Sequence, residues 1–478
     1  MPPKRNETSE PAKDSASSVE TPVSAASAAT SVEVGSAPQP ASGPGSSAAP
    51  GGLDDPAAFA SQGATGQTAP ASPDPAQAAG VGVRQDPFFI PPPDIPTQEG
   101  PKGVRYDFND GARIWLPPGK WHAEIHDAES GNVIFACDAN EGWVVSTKKY
   151  YIPFVIKVWE QGNPSPLVDH ALNMQGKHVL IKFPVGTLGD LVGWFPYADK
   201  FQRKHDCQLE CALADNLIEI FKDQYPNMTL NTPQTVVTKY PYASYRVGLF
   251  FRGNRDAQPI DFRQVGLHRT AGYILGVDPT EEPPKVNLDI PRRIEEPYVC
   301  IATKSSCQAK FWNNGHGWTI VVKHLREMGY RVLAIDKDAI TGMGHIWNHV
   351  PHDAEDFTGN LPLGERIALI RHADFFIGLS SGLSWLAWCC KVPIVLISGF
   401  TLPICEFVTP YRVYSSHGCT GCWDATDCNF DHHDFLWCPR HKGTDRQFEC
   451  SRLITGQQVI GHITRLMKDY NLKPPKDR

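Results

Sequence analysis

The 478-residue chain predicts an α/β protein of two consecutive Rossmann-like lobes, preceded by a small all-β domain. Three patterns carry that prediction. From 298 onward, short apolar runs alternate with amphipathic stretches; KHVLIKF at 177–183 opens an earlier series of the same kind; and between 95 and 168, β-rich runs are broken by Asn-Asp-Gly, Pro-Pro-Gly and Ser-Gly turn signals. Two such halves imply a cleft between them, because open α/β sheets bind ligand in the crevice beyond their strand ends.

In chain order, residues 1–88 are dominated by Ala, Ser, Pro and Gly, as in SAPQPASGPGSSAAPGG. Too few large apolar side chains are present to offset the entropy of ordering, so a disordered arm is expected. Residues 95–168 read as hairpins of the β domain. The first lobe, 170–297, opens on the buried-strand composition of KHVLIKF and turns through the Gly-rich PVGTLGD into an apolar helix, LVGWFPYADKFQRKH. A strand in CQLECAL, a helix in DNLIEIFKDQYP, short strands around VVTKY and YRVGLFF and the amphipathic RQVGLHRTAGYILG complete it. The second lobe, 298–478, reads as strand YVCIATKS, helix GWTIVVKHLREMGY, strand RVLAID, helix LGERIALIRHA, strand DFFIGLS, helix GLSWLAWCC and strand PIVLISG. GQQVIGHITRLMKDY closes it as a capping helix.

Composition removes several functions. A net charge of -7 without a long Lys/Arg run argues against nucleic acid, whose phosphates call for a concentrated basic surface. The start, MPPKRNETSE, lacks the apolar core of a secretory signal, and no apolar run approaches the roughly 20 residues that span a bilayer. A cytoplasmic protein outside the membrane is expected, and the sequons at Asn6 and Asn227 are then chance matches.

Three segments could carry chemistry. In FPVGTLGDLVGWFP a Gly-rich turn, Gly186, Thr187, Leu188 and Gly189, joins strand to helix and places Asp190 at the helix start. Asp190 is either a first-turn carboxylate stabilising the helix dipole or a general base at the mouth of the cleft. In IGLSSGLSWLAW, Ser380, Ser381, Gly382 and Leu383 bring hydroxyls and free helix N–H groups to a strand end, a ready phosphate cradle. TKSSCQAKFWNN follows another strand end with Thr303, Lys304 and Lys310, where a cation could neutralise a diphosphate leaving group. Two such loops in one half and a carboxylate in the other describe a nucleotide-sugar transferase better than a dehydrogenase, whose GxGxxG turn is absent.

The most specific stretch is 417–450, with five cysteines and four histidines. Cys419 and Cys422 form a CxxC; Cys438 follows after fifteen residues and Cys450 after eleven more, enough for a closed tetrahedral sulfur site. Cys428, His417, His432, His433 and His441 are further candidates, and counting leaves the ligand set open. A redox CxxC normally begins a helix in a thioredoxin-like fold, whereas this one lies in a turn-rich insertion, so metal is the favoured reading.

KFPVGTLGDLVGWFPYAD, IATKSSCQAKFWNN, HADFFIGLSSGLSWLAW and HGCTGCW with FLWCPRHKGTDRQFEC together resemble the bacterial autotransporter heptosyltransferases, over about 100–475. The first three alone resemble the wider lipopolysaccharide heptosyltransferases. The resemblance implies a GT-B fold behind a small β-barrel-like domain, with the acceptor and catalytic Asp on the first lobe and the ADP-sugar on the second. It implies inverting transfer of heptose from ADP-heptose to serines of an autotransporter passenger domain, in the cytoplasm, by a homododecamer. Asp190 matches the family's catalytic aspartate, Lys310 the lysine on the donor phosphates, and Ser380 to Leu383 the phosphate-binding turn. The quartet Cys419, Cys422, Cys438 and Cys450 matches a structural iron site, with zinc as the alternative. Against the lipopolysaccharide enzymes' D-T-G-L-S-H, Ser380 replaces the Asp and Trp385 the His, so sugar contacts at those positions do not carry over. Rival readings are transfer of another nucleotide sugar or to a lipopolysaccharide acceptor, and a non-catalytic metal-finger scaffold recruiting an exported protein.

Overall fold

The computed structural model describes residues 90–183, 187–251 and 254–478. The arm expected at 1–88 falls wholly outside the described residues, and Gly186 lies outside them too.

In the first lobe, parallel strands Thr229–Asn231, Gln208–Ala212, His178–Lys182 and Ala243–Arg246 lie side by side in that order. His178–Lys182 is central and buried over four of its five residues, which is why KHVLIKF is almost uniformly apolar. The sheet then runs on into the segment expected to be a separate domain. Arg105–Asn109 pairs parallel to Ala243–Arg246, and Arg113–Leu116 and Gly142–Val145 follow antiparallel. Buried charge ties this junction. Arg113 grips Asp107 through two bonds of 2.6 and 2.7 Å, and Lys182 reaches Asp110 at 2.7 Å. The other strands of the segment, Val133–Ala139, Trp121–Asp127, Phe154–Glu160 and Val168–Ala171, form an antiparallel sheet of their own. Its alternation is legible in WHAEIHD, where Trp121, Ala123 and Ile125 turn inward.

One local reading changes. VVTKY is not a strand: the Glu210 carboxylate accepts the Val237 and Thr238 N–H groups at 2.9 and 2.8 Å, so a side chain takes the donors a strand partner would use. The amphipathic RQVGLHRTAGYILG lies in two helices, Phe262–Val265 and Arg269–Leu275. Gly266 separates them with φ 100°, and a Cβ there would lie 2.1 Å from the Ile404 carbonyl oxygen, so only glycine fits.

The second lobe is a six-stranded parallel sheet in the order Glu355–Asp356, Arg331–Ala334, Tyr298–Ile301, Phe376–Leu379, Ile394–Ile397, Arg412–Val413. Numbered along the chain this is 3-2-1-4-5-6, the doubly wound order, with its switch point between Tyr298–Ile301 and Phe376–Leu379. The first lobe reverses similarly between His178–Lys182 and Ala243–Arg246. The last α-helix, Gly456–Asp469, is started by a Thr455–Gln458 capping box and buried along Val459, Ile463 and Leu466.

The lobes meet where helix Leu188–His205 crosses helix Gly382–Cys389. Glycines allow the approach: a Cβ on Gly189 would sit 2.7 Å from Trp385 Cδ1, and one on Gly382 would sit 2.7 Å from Leu188 Cβ. Trp385 thus packs between lobes, edge-on to His268 and Phe407. The start of each helix is thereby brought to one place.

Candidate active site

A cleft of about 1200 Å³ opens at both switch points. From the first lobe it is lined by Thr187, Leu188, Gly189 and Asp190, and from the second by Lys304, Lys310 and Ser380 to Leu383. Thr303 does not line it. The Thr303 N–H and hydroxyl donate to Asp336 Oδ2 at 2.8 and 3.0 Å, and the Lys304 N–H donates to Oδ1 at 3.1 Å. Thr303 therefore shapes the loop that presents Lys304. Burial pushes the Asp336 carboxyl up, and these donors together with the Lys304 charge oppose that shift.

Asp190 caps its own helix and also lines the cleft. It is the third residue of its helix, and its Oδ2 accepts the Thr187 N–H at 3.1 Å and the Thr187 hydroxyl at 3.0 Å. That is the carboxylate half of a helix cap. Oδ1 has no hydrogen-bond partner among the described residues, and the residue faces the cleft. Burial raises the carboxyl's pKa, while Lys310, the Thr187 bonds and His432 pull it down.

Lys310 ends the short 3-10 turn Gln308–Lys310. Its ammonium lies 5.5 Å from the centre of the Phe400 ring and 5.7 Å from that of Trp423. No carboxylate pairs with it among the described residues. Burial lowers its pKa and the Asp190 charge raises it. A cation held on aromatic faces without an anion is prepared for an anionic ligand.

At the second-lobe turn, Ser381 is extended, with φ -147° and ψ 166°, ahead of helix Gly382–Cys389. Its hydroxyl does not cap that helix. The oxygen is buried without a hydrogen-bond partner among the described residues, so hydroxyl and helix N–H groups remain for a ligand. Sequence reasoning missed Phe400, Thr401, Trp423 and His432 as cleft residues. His432 had been a possible metal ligand; its ring instead packs edge-on to Phe430 at 4.7 Å and faces the cleft.

In 417–450, Cys419 Sγ and Cys422 Sγ are 4.0 Å apart. Two thiolates on one tetrahedral metal, with bonds of about 2.3 Å, lie about 3.8 Å apart, so the pair fits. Burial, then Cys438 and Cys419, push the Cys450 thiol up to about 12; burial, then Cys419, push Cys422 to about 12. Such crowded thiols suit a cation, which reverses their mutual opposition. Cys419 also gathers His441 and Glu449, all three with ligand atoms within 4.8 Å of one another. Glu449 is already engaged by Arg446 at 2.6 Å and by the Cys419 N–H at 2.8 Å, which suits it to orienting the cysteine.

Residues 100–162 match the family model of the glycosyltransferase TibC N-terminal domain, and residues 275–422 match glycosyltransferase family 9, the heptosyltransferases. With the two-lobed cleft, these matches define a GT-B-like α/β glycosyltransferase. The chain is 63% identical over 379 residues to the autotransporter heptosyltransferase BAHTCr of Citrobacter rodentium, covering 79% of this chain and 93% of the relative. The crystal structure of the iron-containing dodecameric glycosyltransferase TibC from enterotoxigenic E. coli superposes with a TM-score of 0.78 at 60% identity, over 80% of this chain and all of that one. A second TibC structure, in complex with ADP-D-beta-D-heptose, gives 0.79 with the same identity and coverage. An inactive autotransporter heptosyltransferase, BimC of Burkholderia thailandensis, is 42% identical over 82% of this chain and 91% of its own length. The chain belongs to the autotransporter heptosyltransferase family.

Proposed function

We propose that this chain is an inverting glycosyltransferase that moves heptose from ADP-heptose to serine hydroxyls of an autotransporter passenger domain. One observation carries the reading. A carboxylate with one open oxygen, an ammonium without an anionic partner and an uncapped helix start converge on a single cleft. The donor and acceptor classes are supported by the relatives' names and by the ADP-heptose bound to TibC.

Asp190 takes the proton of the serine hydroxyl as its oxygen attacks the anomeric carbon. The bond from that carbon to the diphosphate breaks, and ADP departs from the opposite face. Lys310, Lys304 and the turn from Ser381 to Leu383 neutralise the charge growing on the diphosphate, the kind of preorganised help that is usually the largest catalytic term. Thr187, Leu188 and Gly189 frame the acceptor side.

The same reading assigns 170–297 to the acceptor, 298–478 to the ADP-sugar, and 95–168 to a small β-barrel-like domain fused to the first lobe. Cys419, Cys422, Cys438 and Cys450 would hold a structural iron, as the iron-containing TibC supports, and the assembly would be a dodecamer as in that relative. No helix among the described residues is long and apolar enough to cross a membrane, which is compatible with the cytoplasmic placement we assign.

The inactive relative favours one second reading, a scaffold without chemistry. Incubating the purified protein with ADP-heptose and a passenger domain separates the two. A mass increase of one or more heptosyl groups on the passenger is expected. An unchanged passenger, with no ADP-heptose bound, would establish the scaffold.

A further inference from the structure

On either side of the diphosphate turn the cleft has two ends, and the strand order of the second lobe separates them. At one end, Lys337, Asp338 and Asn360 follow strands Arg331–Ala334 and Glu355–Asp356. At the other, Phe400 follows strand Ile394–Ile397, and Trp423, Phe430 and His432 of the cysteine segment continue the wall. One end is rich in polar partners; the other is aromatic.

The aromatic end is built by a loop tied to both lobes. Trp437 Nε1 donates to the Asn429 carbonyl at 3.1 Å, which closes loop 429–437 at its base. The Gln308 N–H, in the turn that carries Lys310, donates to the Phe435 carbonyl at 2.8 Å. From the first lobe, Phe251 packs edge-on to His432 and to Trp423, with ring centres 6.4 and 6.2 Å apart. Phe430 joins the same two rings at 4.7 and 5.0 Å. A continuous aromatic surface therefore runs from the Lys310 ammonium to the rim of the cleft, where His432 remains exposed.

Asp190 lies within electrostatic reach of this end. Lys310 and His432 both act on its carboxyl, and His432 feels Lys310 and Asp190 in return. In a direct displacement the acceptor oxygen, held by the base, and the departing diphosphate, held by Lys310, lie on opposite sides of the anomeric carbon. A nucleoside trailing from the diphosphate suits the polar end, where its ribose hydroxyls find partners. The end that His432 shares with Asp190 is left for the acceptor.

We propose that Phe251, Phe430 and His432 form the acceptor subsite, along which the serine-bearing segment of the passenger domain lies with its hydroxyl reaching inward to Asp190. Aromatic faces take the apolar and main-chain atoms of such a segment, and the His432 ring offers a hydrogen bond to a peptide group. Loop 429–437 is thus a substrate wall, apart from the cysteines that flank it. The proposal rests on the reading of the cleft as a heptosyltransferase site.

The test measures KM for a purified autotransporter passenger domain at saturating ADP-heptose and, separately, calorimetric binding of ADP-heptose, in wild type, His432→Ala and Phe251→Ala. The passenger KM should rise roughly 5- to 30-fold, as for truncation of an interface aromatic, while the dissociation constant of ADP-heptose stays at the wild-type value. A general loss of structure would weaken both ligands. An unchanged passenger KM in both variants, or ADP-heptose weakened as much as the passenger, would overturn the proposal. His432 is exposed, so His432→Ala decides the matter even if Phe251→Ala fails to fold. Wild-type protein that binds ADP-heptose and modifies no passenger would instead overturn the transferase reading and the acceptor subsite with it.

Discussion

Asp190→Asn separates the two roles that one carboxylate carries. The carboxamide oxygen can still accept both Thr187 donors, now 3.1 and 3.0 Å from Oδ2, so the helix start should survive. Even complete loss of that cap would cost about 0.5–2 kcal/mol of stability. What asparagine cannot do is take a proton. A general base contributes about 100- to 10,000-fold, so kcat should fall by that factor, about 2.7–5.4 kcal/mol at 1.36 kcal/mol per decade, with a melting temperature close to wild type. The pH profile adds an independent check. Burial raises the Asp190 carboxyl above the usual carboxylate range, and a base works only when ionised, so the acid limb of kcat/KM should lie above that range. The Lys310 charge pulls this pKa down, so Lys310→Met should shift the limb to higher pH. The assay is heptosyl transfer to a passenger domain, followed by mass spectrometry. Near wild-type turnover by Asp190→Asn, or an acid limb indifferent to Lys310→Met, would refute the assignment.

Lys310 should also set the alkaline limb. Burial lowers its pKa, so its positive charge is lost as pH rises through a value below that of an ordinary amine, and Lys310→Met should abolish that limb. Trp423→Ala removes one of the two aromatic faces on the ammonium; at about 0.5–2 kcal/mol for a cation on a ring, ADP affinity measured by calorimetry should fall by about 2- to 30-fold. Gly189→Ala forces a methyl to 2.7 Å from the Trp385 ring and should cost about 1–3 kcal/mol, read as a lower melting temperature, with weakened donor binding as the helix crossing opens. If 417–450 holds the proposed metal, chelation should lower both the melting temperature and ADP affinity, and readdition should restore them.

The second lobe was legible because parallel strands buried on both faces read as unbroken apolar runs between amphipathic helices, as in RVLAID and DFFIGLS. Thr187 to Asp190, Lys310 and Ser380 to Leu383 were legible as cleft residues because Gly, Ser and charge gather there where strand ends meet helix starts. The junction between the β domain and the first lobe was not legible. Turn signals locate hairpins but carry nothing about which sheet a strand joins, and Arg105–Asn109 joins the first lobe through Ala243–Arg246, more than a hundred residues away. Phe400 and Trp423 look like ordinary core side chains in sequence, and only the fold places them beside Lys310. Glu406 is equally mute: nothing local reveals that it meets Thr401 and, through it, Ser380.

The cysteine segment takes its meaning from the loop it fastens. The Gly421 N–H donates to the Gly399 carbonyl at 3.0 Å, the Trp423 N–H to that of Phe400 at 3.2 Å, and the Leu402 N–H to Asp424 Oδ2 at 2.6 Å. A Cβ on Gly399 would lie 2.3 Å from the Cys450 carbonyl oxygen, so the segment's far end presses on the same residues. That loop, 399–402, carries Phe400 against Lys310 and Thr401 against Ser380. A metal joining Cys419 and Cys422 to Cys450 would clamp the loop from both ends without touching a substrate. Chelation should therefore weaken ADP, through the Phe400 and Trp423 faces on Lys310. A chelated protein that stays folded and binds ADP as before would show that the clamp and the cleft are independent.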